Sequence, residues 1–184
     1  MRVGVVHKAV KTALLTLFIL STFATVAQEP TLQGAREAFH KAVLDEEQSR
    51  SFHQYMRTFE NPTPVIAAYQ AVSEAMLARV LWNPLSKLGQ VRSYQRAMEH
   101  AVENDPHEIE IRFLRLAIEY NLPSFLGMSE HVEEDVIAIL KNLSSAATLG
   151  LDPSYGQYIF YFLEQTNLCS EEQILTMKRS LATL

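Results

Sequence analysis

The chain has 184 residues, a formal charge of −5 at pH 7, 48% hydrophobic residues and a single cysteine, Cys169. An acidic chain is a poor match to nucleic acid or anionic lipid, and one cysteine permits no intramolecular disulfide. This length is enough for one domain to bury a substantial core without metal or disulfide staples.

Residues 1–27 have the layout of a signal peptide. Arg2, Lys8 and Lys11 precede an apolar run from Ala13 to Phe23, and Thr25-Val26-Ala27 is a small-residue cleavage site. The apolar run is short for a membrane span. Cleavage removes three cations and no acid, so residues 28–184 carry a formal charge of −8. The expectation is an exported protein, periplasmic or extracellular and of bacterial type, with no stable membrane insertion after cleavage. An animal extracellular domain of this size more often carries several cysteines.

From residue 28 onward the pattern is helical throughout, and no stretch alternates with period two for long enough to make a strand. Eight helices are expected, over about 31–44, 46–59, 62–81, 84–104, 106–121, 129–144, 153–166 and 170–183. Four starts share one device, a cap residue followed by proline: Asn61-Pro62, Asn83-Pro84, Asp105-Pro106 and Asp152-Pro153. Ser170 with Gln173 has the spacing of a capping box, as does Asp45 with Gln48.

The first two helices offer apolar faces around Phe39 and Phe52. The third is rich in alanine, which lets a neighbouring helix come close. It ends at Trp82, expected to cover the following turn. Gly89 weakens the first third of the fourth helix, and a break is conceivable there.

The fifth segment, DPHEIEIRFLRLAIEY, is the centre of the pattern. Glu108, Arg112, Arg115 and Glu119 fall on one narrow stripe, while apolar residues occupy almost every other direction. Such a helix belongs in the interior of a helical array, with only the charged stripe at its edge. Arg112 and Arg115 are then either solvated partners of Glu108 and Glu119, the preferred reading, or a fork for a partner's carboxylate or phosphate. Glu110 interrupts the apolar arc. It either pairs with a cation, Arg79 and Lys87 being the candidates, or reaches solvent over the first turn. Because unpaired buried acids are rare, the solvent reading is preferred.

The following segment NLPSFLGM is a loop of unusual apolar content. Leu122, Phe125, Leu126 and Met128 either plug the end of the core, the preferred reading, or form an exposed patch for a partner. The seventh helix carries an aromatic face of Tyr155, Tyr158 and Phe162 that reads as core. Cys169 reads as a structural thiol.

Residues 91–111 resemble the second helix and inter-repeat turn of a tetratricopeptide repeat. Tyr94, Met98, Ala101 and Pro106 fall at the spacing of that motif's small, aromatic, alanine and proline positions. The likeness covers about one repeat; Arg112, Arg115, Leu116 and Glu119 stand where the next repeat's large aromatic, leucine, glycine and tyrosine are due. The span from WNPLSKLGQ through IRFLRLAIEYNLPSFLG is also similar to exported bacterial proteins of unknown function. What the resemblance implies is stacked antiparallel helix pairs, and it implies no activity.

No motif carries catalytic chemistry. There is no G-x-S-x-G elbow, no H-E-x-x-H, no glycine-rich phosphate loop and no cysteine pair for metal. His131 with Glu134 or Asp135 offers two metal ligands and no third. No catalytic residue, cofactor or metal is expected. The sequence therefore points to an all-α protein, a helix-pair array or an irregular bundle, acting as a non-enzymatic protein-interaction module. Arg112, Arg115, Phe125 and Leu126 are its candidate partner surface. The alternative is a small-molecule binding protein or enzyme with an interhelical pocket near Glu110 and Arg79.

Overall fold

A computed structural model describes residues 30–143 and 151–182. The expected leader, residues 1–27, lies outside the described residues. Among those described, the regular structure is entirely helical. It comprises α1 (Leu32–Leu44), α2 (Gln48–Met56), α3 (Pro64–Arg79), α4 (Pro84–Asn104), α5 (Ile109–Asn121), α6 (Val132–Leu143), α7 (Pro153–Thr166) and α8 (Glu171–Leu181), with one 3₁₀ turn at Ser124–Leu126.

The helix starts follow local chemistry. Thr31 caps α1 by accepting the Gly34 N–H at 3.0 Å. Asn83 caps α4 through the N–H groups of Leu85 and Ser86. Asp152 does the same for α7 through Ser154 and Tyr155, and Ser170 with Gln173 closes a reciprocal capping box on α8.

Two of the cap–proline pairs behave differently from expectation. The cap of α3 is Thr63, with Pro64 as the first helical residue, so the second of two adjacent pairs starts the helix. Asp105 instead ends α4, its N–H bonding to Ala101 O, and α5 starts three residues later behind Glu108, whose carboxylate accepts the Glu110 N–H at 3.1 Å. Asp45 likewise closes α1, while its carboxylate accepts the Glu47 N–H at 3.0 Å and the Gln48 side-chain amide at 3.5 Å just ahead of α2, whose cap residue is Glu47. α4 runs without a break through Gly89. Trp82 does not cover the turn after α3; it is 90% exposed.

Helices α1–α2, α2–α3, α3–α4, α5–α6 and α7–α8 pack against one another as neighbours in the chain, and cross-links give the antiparallel direction of two of these pairs. Between α2 and α3, the Met56 carbonyl bonds to Gln70, His53 to Ser73 and Arg50 to the Val80 carbonyl. Between α5 and α6, Arg115 meets Asp135 and Glu119 meets His131. The odd-numbered helices face one another inside, and the even-numbered ones flank them.

Every residue from Ile109 to Leu116 is buried, which places α5 in the interior as its apolar circumference requires. Ile111 and Leu114 join the core built by α1–α4, while Ile109, Phe113 and Leu116 join the core built with α6–α8. One helix therefore belongs to both halves of the core.

α7 reaches its inner neighbours through long aromatic side chains. Phe113 of α5 meets the rings of Tyr155, Tyr158 and Phe162 at centroid distances of 6.0, 5.5 and 5.3 Å, all edge-on. Small residues do the opposite job on α3. Ala68, Ala71 and Ala75 are buried and let the surrounding helices approach.

Gly89 serves no conformational purpose in α4. It is exposed, and a methyl group there would meet no atom within 4 Å. Gly89→Ala is expected to stabilise the protein by about 0.5–1 kcal/mol, through lower unfolded-state entropy and higher helix propensity. Urea denaturation with an unchanged m-value is the measurement, and an unshifted midpoint would refute it.

Candidate functional site: a braced cleft between the inner helices

Four inner helices each send one side chain to a common point. Arg36 of α1 forks onto Glu110 of α5, with Nε donating to Oε1 at 2.9 Å and Nη2 donating to Oε2. The Tyr69 hydroxyl of α3 donates to Glu110 Oε1 at 2.7 Å. That hydroxyl has one proton and commits it to the carboxylate. The 3.1 Å bond between the hydroxyls of Tyr69 and Tyr155 of α7 is therefore donated by Tyr155. Arg36 also lies over the Tyr155 ring, 5.0 Å from its centroid.

Glu110 is 2% exposed, so this is a buried carboxylate with a cation and a phenol chain. The preferred solvent-facing reading of Glu110 is overturned. So is the nomination of Arg79. Tyr69 and Arg79 are ten positions apart on α3, roughly 15 Å at 1.5 Å per residue, so Arg79 sits at the other end of the helix. Arg79 instead donates to the Ala42 carbonyl and faces Glu46 at 3.4 Å. Lys87 is exposed near the start of α4.

The protonation states follow from the burial. Glu110 raises the Arg36 pKa by hydrogen bonding, more than burial lowers it. Burial, then the Glu110 charge, pushes the Tyr69 hydroxyl far above the usual phenol range. Burial does the same to Tyr155. Both phenols thus remain donors, as the carboxylate requires.

A second ionic cluster lies on the opposite flank of α5. Arg115 forks onto Asp135, Nε to Oδ2 and Nη2 to Oδ1, both at 2.7 Å. Arg112 donates to Asp135 Oδ1 at 3.0 Å, to Glu134, and to the Pro106 carbonyl. Glu119 accepts both the backbone N–H and ring Nδ1 of His131. Arg112 and Arg115 are 8% and 4% exposed, so the expected solvated edge is absent. The arginine fork for a carboxylate does form, but the carboxylate is Asp135 of this chain. The acidic first turn of α6 supplies it. These arginines accordingly present no free surface to a partner.

His131 is thereby engaged with Glu119 rather than forming a metal pair with Glu134 or Asp135. No cluster of three or more potential metal ligands occurs among the described residues. Cys169 is half-buried, and burial pushes its thiol up, away from the reactive thiolate.

Along the inner helices from Glu110, towards their C-terminal ends, a cleft of about 440 Å³ opens. α1 lines it with Phe39 and Val43, α3 with Met76 and Arg79, and α5 and α7 with Ile118 and Phe162, among others. The same order occurs on each helix, first the Glu110 node and then the cleft, so the four inner helices run in one direction. Leu122 lines the cleft and packs on the core, which fits the expected plug. Phe125 does not: it is 85% exposed, and Leu126 is half-buried.

Arg36 and Tyr69 were not legible as site residues, and Tyr155 and Asp135, read as core and as a possible metal ligand, were not legible in the roles they take. Each is an ordinary residue on an amphipathic helix, and only contacts across helices give it a role. No protein-family model, curated protein or solved structure matches the chain.

Two substitutions test this electrostatic reading. Glu110→Ala strands Arg36 and two phenols, and is expected to destabilise the fold by about 3 kcal/mol. Arg36→Met with Glu110→Gln removes both charges and should lose clearly less than the sum of the single changes. Additive losses in urea denaturation would mean that the pair is not coupled.

Glu108 supplies a pH test. Burial holds its carboxyl above the ordinary value near 4.5, against the opposing Glu110 N–H bond. A folded-state pKa above the unfolded one favours the protonated form. The stabilising contribution is therefore full below about 4.5 and is lost as pH rises through the folded value. Glu108→Gln keeps an acceptor for the Glu110 N–H and removes the charge. It is expected to raise the melting temperature at neutral pH and to change it little at about pH 4. An equal shift at both pH values would contradict this.

Proposed function

We propose that the protein is an exported, non-catalytic binding domain that holds the apolar body of a small ligand in the cleft between its inner helices. The observation that carries this reading is the cleft itself. Its volume of about 440 Å³ falls in the range of small-molecule sites, which are commonly apolar and lie between the helices of bundles.

Two features support a binding role over catalysis. The buried ionisable groups Glu110, Arg112, Arg115, Glu119 and Asp135 are engaged with neighbouring side chains, leaving no poised acid–base pair facing the cleft. The Glu110 node also ties together all four inner helices and so preforms the cleft walls. Export is supported by the leader-like residues 1–27.

A protein-interaction role is supported by exposed apolar side chains, among them Phe125, three residues beyond the cleft residue Leu122, and Trp82 with Leu85 where α4 begins. The arginine half of that expected surface is occupied internally. The cleft is therefore the better supported site.

Nile red, a neutral apolar fluorophore, is the probe for the cleft. It is expected to bind saturably with one-to-one stoichiometry. Ala117→Phe, which fills the cleft from α5, should weaken binding by about ten-fold or more while helicity by circular dichroism is retained. Unchanged binding in the folded variant, or no saturable binding to the native chain, would overturn the proposal.

A further inference from the structure

Among the side chains that line the cleft, Arg79 alone carries a formal charge. It is the last residue of α3 and stands at the open end, as does Asn121, the last residue of α5. We propose that the ligand is an anionic amphiphile, with its apolar body in the cleft and its carboxylate or similar head group on Arg79. This rests on the cleft being a ligand site and deepens that reading.

The donors are partly uncommitted. Arg79 uses Nη1 on the Ala42 carbonyl, and its Nε faces Glu46 at 3.4 Å, an open and solvent-exposed contact. Nη2 has no partner among the described residues. Asn121 spends one amide proton on the Ala117 carbonyl at 2.8 Å, and the other is free. An incoming carboxylate thus meets a guanidinium edge and an amide N–H, the donors that oxyanions take best.

The helix ends around the opening would otherwise repel an anion, because a helix C-terminus carries partial negative charge. Here four of the carbonyls near those ends are engaged by side chains. Ala42 O is bonded by Arg79, Val80 O by Arg50, Ala117 O by Asn121, and Glu119 O by Ser129. Beneath the rim the walls are Phe39, Met76, Ile118 and Phe162, which offer an acyl or aromatic body no competing charge.

The experiment uses three probes of one chain length, decanoate, decanol and decylamine, each below its aggregation concentration. They are titrated against the Nile red complex of the native chain and of Arg79→Met, which keeps most of the apolar stem. Decanoate is expected to displace the dye about ten-fold more tightly than decanol, the worth of a charged hydrogen bond. Decylamine should bind weakest. Arg79→Met should erase the preference for decanoate over decanol, with unchanged helicity by circular dichroism reporting an intact fold.

Equal affinity for decanoate and decanol, tighter binding of decylamine, or a decanoate preference that survives in Arg79→Met would overturn the head-group assignment. The cleft reading would stand in each of those cases. Failure of Nile red and all three probes to bind would overturn both.

Discussion

A carboxylate that lies in a protein interior must be met by a cation or by donors, and Glu110 is met by both. Arg36 supplies the fork, Tyr69 supplies a phenol proton, and Tyr155 completes the chain. These three side chains come from three different helices, and Glu110 from a fourth. Shifting any one inner helix along its axis by a turn would break this node and strand a charge in low dielectric. The apolar faces alone tolerate such slips far better, because hydrophobic contact is not directional. The node thus fixes the register of the inner helices, and the cleft above it inherits that register.

The same logic operates on the opposite flank of α5. Its arginines draw in α6 through Asp135, which is fully buried and receives Arg115 side-on. Two buried arginines facing Asp135 and Glu134 leave little net charge in the interior. Glu119 and His131 close the far end of the same interface. α5 is therefore held by ionic hydrogen bonds on two flanks and by apolar packing between them. This is how a helix with four charged residues can be buried along most of its length.

The cleft exists because α7 stands off from α1 and α5. Aromatic side chains span the gap near Phe113 through edge-on ring contacts. Towards the helix C-termini the facing residues are shorter, Val43 and Ala117 among them, and space remains. These small residues leave a pocket between larger side chains, with Leu122 of the loop after α5 at its edge. Its rim carries the side-chain donors of Arg79 and Asn121, and its lining is otherwise mostly apolar.

The sequence by itself determined the helical class, the eight helices found among the described residues, several of their caps and the interior position of α5. Those features are local: periodicity, a cap residue before proline, and an apolar circumference are properties of neighbours in the chain. It also flagged Glu110, Arg112 and Arg115 as residues in need of an explanation. What it did not determine was the explanation. Arg36 is 74 positions from Glu110, and Asp135 is 20 positions from Arg115, and nothing in the spacing of one helix selects a partner on another. The expected Arg79 pairing failed because helical periodicity gives the face of a residue but not its level along a packed neighbour. The apparent solvent edge failed for a related reason. A charged stripe reads as exposed when considered alone, and becomes interior once another helix brings the complementary charge. Only the tertiary structure decides which charges meet, because burial and Coulomb attraction act through space.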